Sequence, residues 1–240
     1  MTALTHPQSK PYARLAGLMY LIIAVAGFFS ILHVPGITMI AGDPAATAEA
    51  VAVNRSLFDL GIIGEVVIIL AELMATTMLY FMFKPVNPTL SMVAAFARLS
   101  MALVMAVMLF FSAMALDLLA GAATFGAFSA EQREQLAYLM FDAHDFGVVI
   151  WQIFFTVHLF ILGLLVSRSG VFPRILGWAM MIGAMGYIFD SAQKFMLPGN
   201  EAFGIITGVL LGIVTLGEVS FALWLLIKGP KTDEFRSLAA

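Results

Sequence analysis

Apolar runs long enough to cross a lipid bilayer dominate the chain. A helix needs about 20 apolar residues to span about 30 Å of hydrocarbon, and six stretches meet that length. In lipid a helix pairs every backbone N–H and C=O within its own segment, and the chain shows no strand-type alternation of apolar and polar residues. The pattern predicts an all-α bundle of six transmembrane helices, from Arg14 to His33, Leu57 to Phe83, Phe96 to Leu119, Asp145 to Val166, Arg174 to Phe195 and Ala202 to Ile227.

The polar segments between these runs predict the rest of the architecture. The segment from Val34 to Ser56 predicts a turn and then a short helix near the membrane interface. Ser129, followed by acidic and amide residues, predicts the start of a short amphipathic helix in the loop from Ala120 to His144. We expect one transmembrane domain at residues 14–228, with cytoplasmic tails at 1–13 and 229–240.

Lys and Arg predict the orientation, because cytoplasmic loops carry an excess of both residues. With the N-terminus inside, Arg55, Arg133 and Lys194 alone fall outside, and the other nine of the 12 basic residues fall inside. Both termini are therefore expected in the cytoplasm. The inner set is Lys10, Arg14, Lys84, Arg98, Arg168, Arg174, Lys228, Lys231 and Arg236.

A weak internal repeat links the three odd spans. They open with ARLAG at Ala13, ARLSM at Ala97 and PRILG at Pro173, so each is expected to place one Arg at the cytoplasmic edge. The chain then consists of three helical hairpins in the same orientation, an architecture found among membrane transporters. Basic flanks and helix-terminal prolines also arise independently in six-span proteins, and both interpretations stay open.

Composition excludes most other classes of protein. The 240 residues are 62% hydrophobic and 11% charged, against about 45–50% and about 25% in soluble domains. The absence of Cys removes disulfides, thiolate metal sites and covalently attached haem. A net charge of −3 provides no basic surface for nucleic acid. The expected partner is the lipid bilayer, and no cofactor is predicted.

Three ionisable residues fall at matching depth in the even spans. Glu72 lies 12 residues before Lys84, while His158 and Glu218 each lie 10 residues before the basic residue that ends their span. This places all three about 15–18 Å from the inner edge, where they are able to share one interior pocket. Glu65, seven residues before Glu72, lies on the same helix face as an outer relay. Such groups indicate a site for a proton, a cation or the head of a lipophilic ligand, or else an interhelical hydrogen-bonded clasp.

A second polar layer is predicted at the outer helix ends. Histidine and aspartate together are able to bind a divalent metal, with His33, His144 and Asp145 as the candidates. The other interpretation is that these residues bind nothing and lie at the membrane interface because polar side chains there carry a small free-energy cost. Asp190 and Lys194, four apart, are expected to pair on one helix face. The layer comprises His33, Asp59, Asp117, Asp142, His144, Asp145, Tyr187, Asp190 and Lys194.

Three glycines in the last span lie four residues apart, at Gly204, Gly208 and Gly212. Small residues at this spacing let a second helix approach closely. The neighbouring helix belongs either to the same bundle or to a second copy in a homo-oligomer.

The chain resembles an uncharacterised bacterial membrane family, domain of unknown function 4386, from Arg14 to Gly229. The resemblance is carried by ARLAGLMYLIIAVAGFFS, by FFTVHLFILGLLVSRSGVFPRILGWAMMIGAMGYIFDS, and by GEVSFALWLLIKG. It implies a six-span protein of the bacterial inner membrane. It implies no substrate, cofactor or catalytic residue.

Three functions are compatible with these features. The first is a binding or carrier protein that uses Glu65, Glu72, His158 and Glu218 for a proton, a cation or a lipophilic ligand. The second is an integral membrane enzyme, including a metal-dependent one, that acts on a lipid-like substrate near the outer face. The third is a non-catalytic subunit of a membrane complex.

Overall fold

A computed structural model describes residues 6–197 and 199–231, and helices account for nearly all of that range. No strand occurs among these residues. Arg236 and the outermost parts of both predicted tails, 1–5 and 232–240, lie outside the described residues. The α-helices are α1 (Lys10–Gly27), α2 (Val34–Thr38), α3 (Pro44–Val53), α4 (Arg55–Phe83), α5 (Pro88–Leu119), α6 (Ala130–Arg168), α7 (Arg174–Met196) and α8 (Glu201–Ile227).

Six helical segments are long and apolar enough to cross a membrane, as the sequence predicts. The first is Lys10–Thr38, in which a π-helical turn at Phe28–His33 joins α1 to α2. The others are α4 to α8. Large apolar side chains such as Val25, Ile175 and Leu216 are about 71–72% exposed, as expected of residues that face lipid. The chain is a multi-pass membrane protein.

Local hydrogen bonds explain where several helices begin. The Asp43 carboxylate accepts from the Ala46 N–H, and the Asn200 amide oxygen accepts from the Phe203 N–H. These N-caps satisfy backbone donors that have no partner within the helix. The short helix predicted after the first span is confirmed as α3.

Two predicted boundaries are wrong. Ser129 and Gln132 form a reciprocal capping box, so a helix does begin there, but it runs on without a break through all 39 residues of α6.

Helix α5 begins at Pro88, eight residues before the predicted start at Phe96. Asn87 caps it by accepting from the Leu90 N–H. As a result Arg98, expected at the membrane edge, lies ten residues inside the helix.

The described residues form two compact units. The first unit comprises those within Met1–Ile22, Ala71–Ala102 and Trp151–Ala240, and the second unit comprises Ile23–Leu70 and Leu103–Ile150. The core of the first unit includes Tyr20, Phe83, Phe155, Leu162 and Phe221. The core of the second unit includes Val34, Val51, Phe58, Ala115 and Phe141.

Helices of the first unit approach one another closely at glycines. On α7, a Cβ at Gly183 would meet the backbone of Val214 on α8, and one at Gly177 would meet the backbone of α6. On α1, a Cβ at Gly17 would lie 2.7 Å from the carbonyl oxygen of Ala222. Such contacts hold helices together in lipid, where apolar burial gives little driving force.

Candidate functional site: a buried arginine cluster in the first unit

Arg98 is the most deeply buried charged residue among those described in the first unit, with 1% of its surface exposed. Its Nε donates to the Glu72 carboxylate, which is also buried. Its Nη1 lies 2.8 Å from the Tyr20 hydroxyl oxygen, and the guanidinium carbon lies 4.4 Å from the centre of the Tyr20 ring. The guanidinium charge is therefore matched by a carboxylate and by the face of an aromatic ring.

His158 completes the shell around Arg98. Its Nε2 lies 2.8 Å from Arg98 Nη1, and its Nδ1 lies 2.9 Å from the carbonyl oxygen of Ala94. A guanidinium has donors and no acceptor, so Nε2 must accept and the proton must reside on Nδ1, which donates to the carbonyl. His158 is thus the neutral tautomer. The cation that faces the carboxylates is Arg98, and not a protonated His158.

Glu218 joins the cluster through Tyr20. Its carboxyl is half-buried, is hydrogen-bonded to the Tyr20 hydroxyl and acts electrostatically on Arg98. A tyrosine hydroxyl has one hydrogen to donate. Because the Tyr20 oxygen accepts from Arg98, that hydrogen is free to point at Glu218, and a directed chain runs from Arg98 through Tyr20 to Glu218.

The fifth membrane-crossing helix, α7, adds an aromatic residue to these contacts. Tyr187 on α7 packs against Phe155 at 5.0 Å and against Trp151 at 5.9 Å between ring centres. Phe155 in turn stacks on the His158 ring. Every one of the six membrane-crossing helices therefore supplies a residue to what we call the Arg98 cluster, which consists of Tyr20, Glu72, Arg98, His158, Tyr187 and Glu218.

The cluster carries an unequal number of charges. Arg98 supplies one positive charge, and Glu72 and Glu218 supply two carboxyl groups. His158 is neutral, so ionising both carboxyls leaves a net charge of −1 among buried groups. An unbalanced charge inside a membrane protein is expensive. One further positive charge would balance the two carboxylates.

The sequence predicts three of these residues as one interior site, assigns Tyr187 to the outer polar layer and misses the central residue, Arg98. Glu72, His158 and Glu218 surround Arg98 within the first unit, while the predicted relay residue Glu65 belongs to the second unit. Arg98 was placed with the basic flanks. The signal that would have found it is the Asn-Pro pair at Asn87 and Pro88, a helix start that puts Arg98 at the depth of His158.

The residues of the predicted outer layer have varied surroundings. His33, Asp117 and Asp142 are exposed, and Asp59 forms an exposed ion pair with Arg55 at 2.9 Å. His144 and Asp145 line a cavity in the second unit. Tyr187, Asp190 and the exposed Lys194 belong to the first unit, where Asp190 accepts from the Gln152 amide at 2.7 Å. Among the described residues no three His, Asp or Glu side chains converge on one point.

Fold and cluster together define a six-helix membrane protein with a buried ion pair in its first unit. The chain belongs to the family described as Domain of unknown function (DUF4386), which it matches over residues 15–229. A curated relative from Archaeoglobus fulgidus, described as an uncharacterized protein, is 31% identical over 174 residues. That match covers 72% of this chain and 86% of the relative. No solved structure matches the chain.

Proposed function

We propose that this protein binds one proton at the Arg98 cluster and carries it within the membrane. The observation that supports the proposal is that a single buried guanidinium faces two carboxyl groups. The Arg98 guanidinium neutralises the Glu72 carboxylate. A proton bound to Glu218 then brings the net charge of the cluster to zero. Loss of that proton would leave a net negative charge in the bundle, so binding and release are coupled to charge movement.

The chemistry of the surrounding groups favours a proton over a metal cation. Metal ions such as Ca²⁺ and Mg²⁺ require several oxygen ligands with free lone pairs. Arg98 presents only N–H groups, and the Tyr20 oxygen already accepts from it. The cavity that adjoins His158 has a volume of about 10 Å³, room for about one water molecule. A carboxyl proton needs no further ligand.

Glu218 is the proposed carrier residue because it is the less constrained of the two carboxyls. Glu72 is 2% exposed and is bound directly by Arg98, whereas Glu218 is half-buried and reaches Arg98 through Tyr20. A group that exchanges protons needs both a stabilised protonated form and access to a donor. His158 acts as a fixed acceptor that holds the guanidinium in place.

Replacing Glu218 with Gln is expected to abolish proton movement while leaving the fold intact. The amide keeps the shape of the side chain, and the remaining Arg98–Glu72 pair is electrically neutral. The measurement uses purified protein in vesicles that contain a pH-sensitive dye and an outward potassium gradient; adding valinomycin generates the voltage that drives proton entry. Wild-type vesicles should acidify, and vesicles with Glu218→Gln should behave like protein-free ones.

Glu201 provides the matched control, since it is an exposed glutamate on the same helix. Glu201→Gln should leave the acidification rate at the wild-type value. Wild-type rates no higher than those of empty vesicles would contradict the proposal and favour a role as a non-catalytic subunit. Equal rates for wild type and Glu218→Gln would remove Glu218 from the mechanism.

The location that accompanies this proposal is the bacterial inner membrane, with both termini in the cytoplasm. Basic residues near one set of helix ends support it, namely Lys10, Lys84, Arg168, Arg174 and Lys228. Arg98 no longer counts toward that excess, because it is buried in α5. Reporter fusions at the C-terminus check the orientation.

A homo-oligomer that packs on α8 is also proposed, and only two of the three predicted glycines support it. Gly204 lies against the Gln193 side chain, whereas a Cβ at Gly208 or Gly212 would meet nothing within 4 Å. Because Gly208 and Gly212 have no side chains, a helix of a second copy is able to approach this face of α8 closely. Cross-linking in native membranes through a cysteine at position 208 tests this contact.

A further inference from the structure

A cavity in the second unit is lined by three buried polar atoms that make no hydrogen bond. Its volume is about 80 Å³, and it is lined by Ser30, Phe58, Glu65, Phe141 and His144, among others. The Ser30 Oγ, one Glu65 carboxylate oxygen (Oε2) and the His144 Nε2 are buried and make no hydrogen bond. Buried polar atoms in folded proteins nearly always have a partner. Three such atoms at one cavity indicate that something else binds there.

The distance between two of these atoms identifies the kind of ligand. His144 Nε2 and Glu65 Oε2 lie 3.5 Å apart, which is long for a hydrogen bond between a nitrogen and an oxygen. A tetrahedral zinc ion with bonds of about 2.0–2.2 Å holds its ligand atoms about 3.4 Å from one another. The pair is therefore spaced like two neighbouring ligands of one metal ion.

The backbone around Ser30 is built to bring its hydroxyl to the same cavity. Ser30 lies in the π-helical turn Phe28–His33, and π-helical turns occur frequently at functional sites. On α4, Gly64 faces it, and a Cβ at that position would overlap the Ser30 oxygen. This glycine therefore leaves the room that the Ser30 hydroxyl occupies, and Glu65, the next residue on α4, lines the same cavity.

We propose that the second unit binds one divalent transition-metal ion between His144 Nε2 and Glu65 Oε2. Imidazole and carboxylate together suit Zn²⁺, Co²⁺ and Mn²⁺. Ser30 Oγ lies at the same cavity, which has room for the water molecules that fill the remaining positions. Of the predicted metal candidates, this site uses only His144. Asp145 lines the same cavity, whereas His33 is exposed and does not line it.

Cobalt is the probe that tests the site, because Co²⁺ bound in tetrahedral geometry has strong visible absorption and water-bound Co²⁺ does not. Full-length protein in mild detergent is stripped with a chelator, dialysed and titrated with Co²⁺. One equivalent per chain should bind and give the tetrahedral spectrum, and Zn²⁺ should displace it. Glu65→Gln and His144→Gln should each weaken binding about tenfold or more, since each removes a ligand.

Two variants serve as controls. His33→Gln changes an exposed histidine and Glu49→Gln an exposed glutamate, and both should bind Co²⁺ like the wild type. Thermal unfolding of the metal-free variants shows that each is folded. If one ligand variant fails to fold, the other variant and the wild-type titration still decide the matter.

Two results would overturn the proposal. One is the absence of saturable Co²⁺ binding by the wild type. The other is wild-type affinity in both Glu65→Gln and His144→Gln, which would mean that the two side chains form an ion pair with the proton on His144.

Discussion

Replacing Arg98 with methionine is expected to lower the free energy of unfolding by about 3 kcal/mol. The substitution leaves the Glu72 carboxylate buried without its cation. It also removes the donor that binds Tyr20 and His158. Most of the cost comes from the unpaired carboxylate, and methionine itself packs well among apolar neighbours.

A second substitution separates the two contributions. In Arg98→Met combined with Glu72→Leu, neither charge of the pair remains, and stability should return to within about 1 kcal/mol of wild type. Unfolding by SDS in mixed micelles measures both variants. Arg14→Met is the matched control, since Arg14 occupies the same position of the predicted repeat but is exposed, and it should change stability little. A loss of stability in the double variant as large as in Arg98→Met would contradict the charge-based account.

Replacing Gly177 with alanine is expected to destabilise the protein by about 1–3 kcal/mol. Gly177 on α7 faces Gly163 on α6, and both are buried. A Cβ at position 177 would press on the carbonyl oxygen of Gly163 and lie 2.7 Å from the Ser167 backbone nitrogen. Because the obstacle is backbone and not a flexible side chain, the two helices must move apart.

The same substitution elsewhere should have the opposite effect. Gly212 on α8 is exposed, and a Cβ there meets nothing within 4 Å. Gly212→Ala should therefore raise the stability of the monomer by about 0.5–1 kcal/mol, because alanine is the better helix former. Equal effects at both positions in SDS unfolding would show that helix propensity, and not the close approach of α6 and α7, decides the outcome.

Hydropathy predicts the fold, and helix geometry predicts that three of the cluster's residues lie close together. Bilayer thickness fixes helix length, so the six spans follow from the apolar runs. The rise per residue fixes depth, so Glu72, His158 and Glu218 were placed at one level by counting from the helix ends. The structure brings all three to the Arg98 cluster.

The centre of the cluster was missed because hydropathy marks where a span becomes strongly apolar and not where its helix begins. Helix α5 starts at Pro88 with the moderately polar segment PTLSM, eight residues before the predicted start. Arg98 therefore lies inside the helix and is buried, instead of flanking the span. Its repeat counterparts Arg14 and Arg174 are exposed. The three positions of the repeat thus look alike in sequence and differ in depth.

Other features depend on contacts that have no local signature. Tyr20 is one aromatic residue in an apolar run, and its role follows from the guanidinium above its ring. The π-helical turn at Phe28–His33 arises from a shift in backbone hydrogen bonding, which brings Ser30 opposite Gly64. Which side of each helix faces the interior is decided by packing, and one sequence does not record it.

Infrared spectroscopy tests the central claim most directly, namely that one carboxyl of the Arg98 cluster is protonated. The carbonyl stretch of a carboxylic acid is separate from the bands of a carboxylate, and it shifts when water is exchanged for heavy water. At neutral pH the wild type and Glu201→Gln should both show this band, and Glu218→Gln should lose it. Absence of the band in the wild type, or its survival in Glu218→Gln, would contradict proton binding at Glu218.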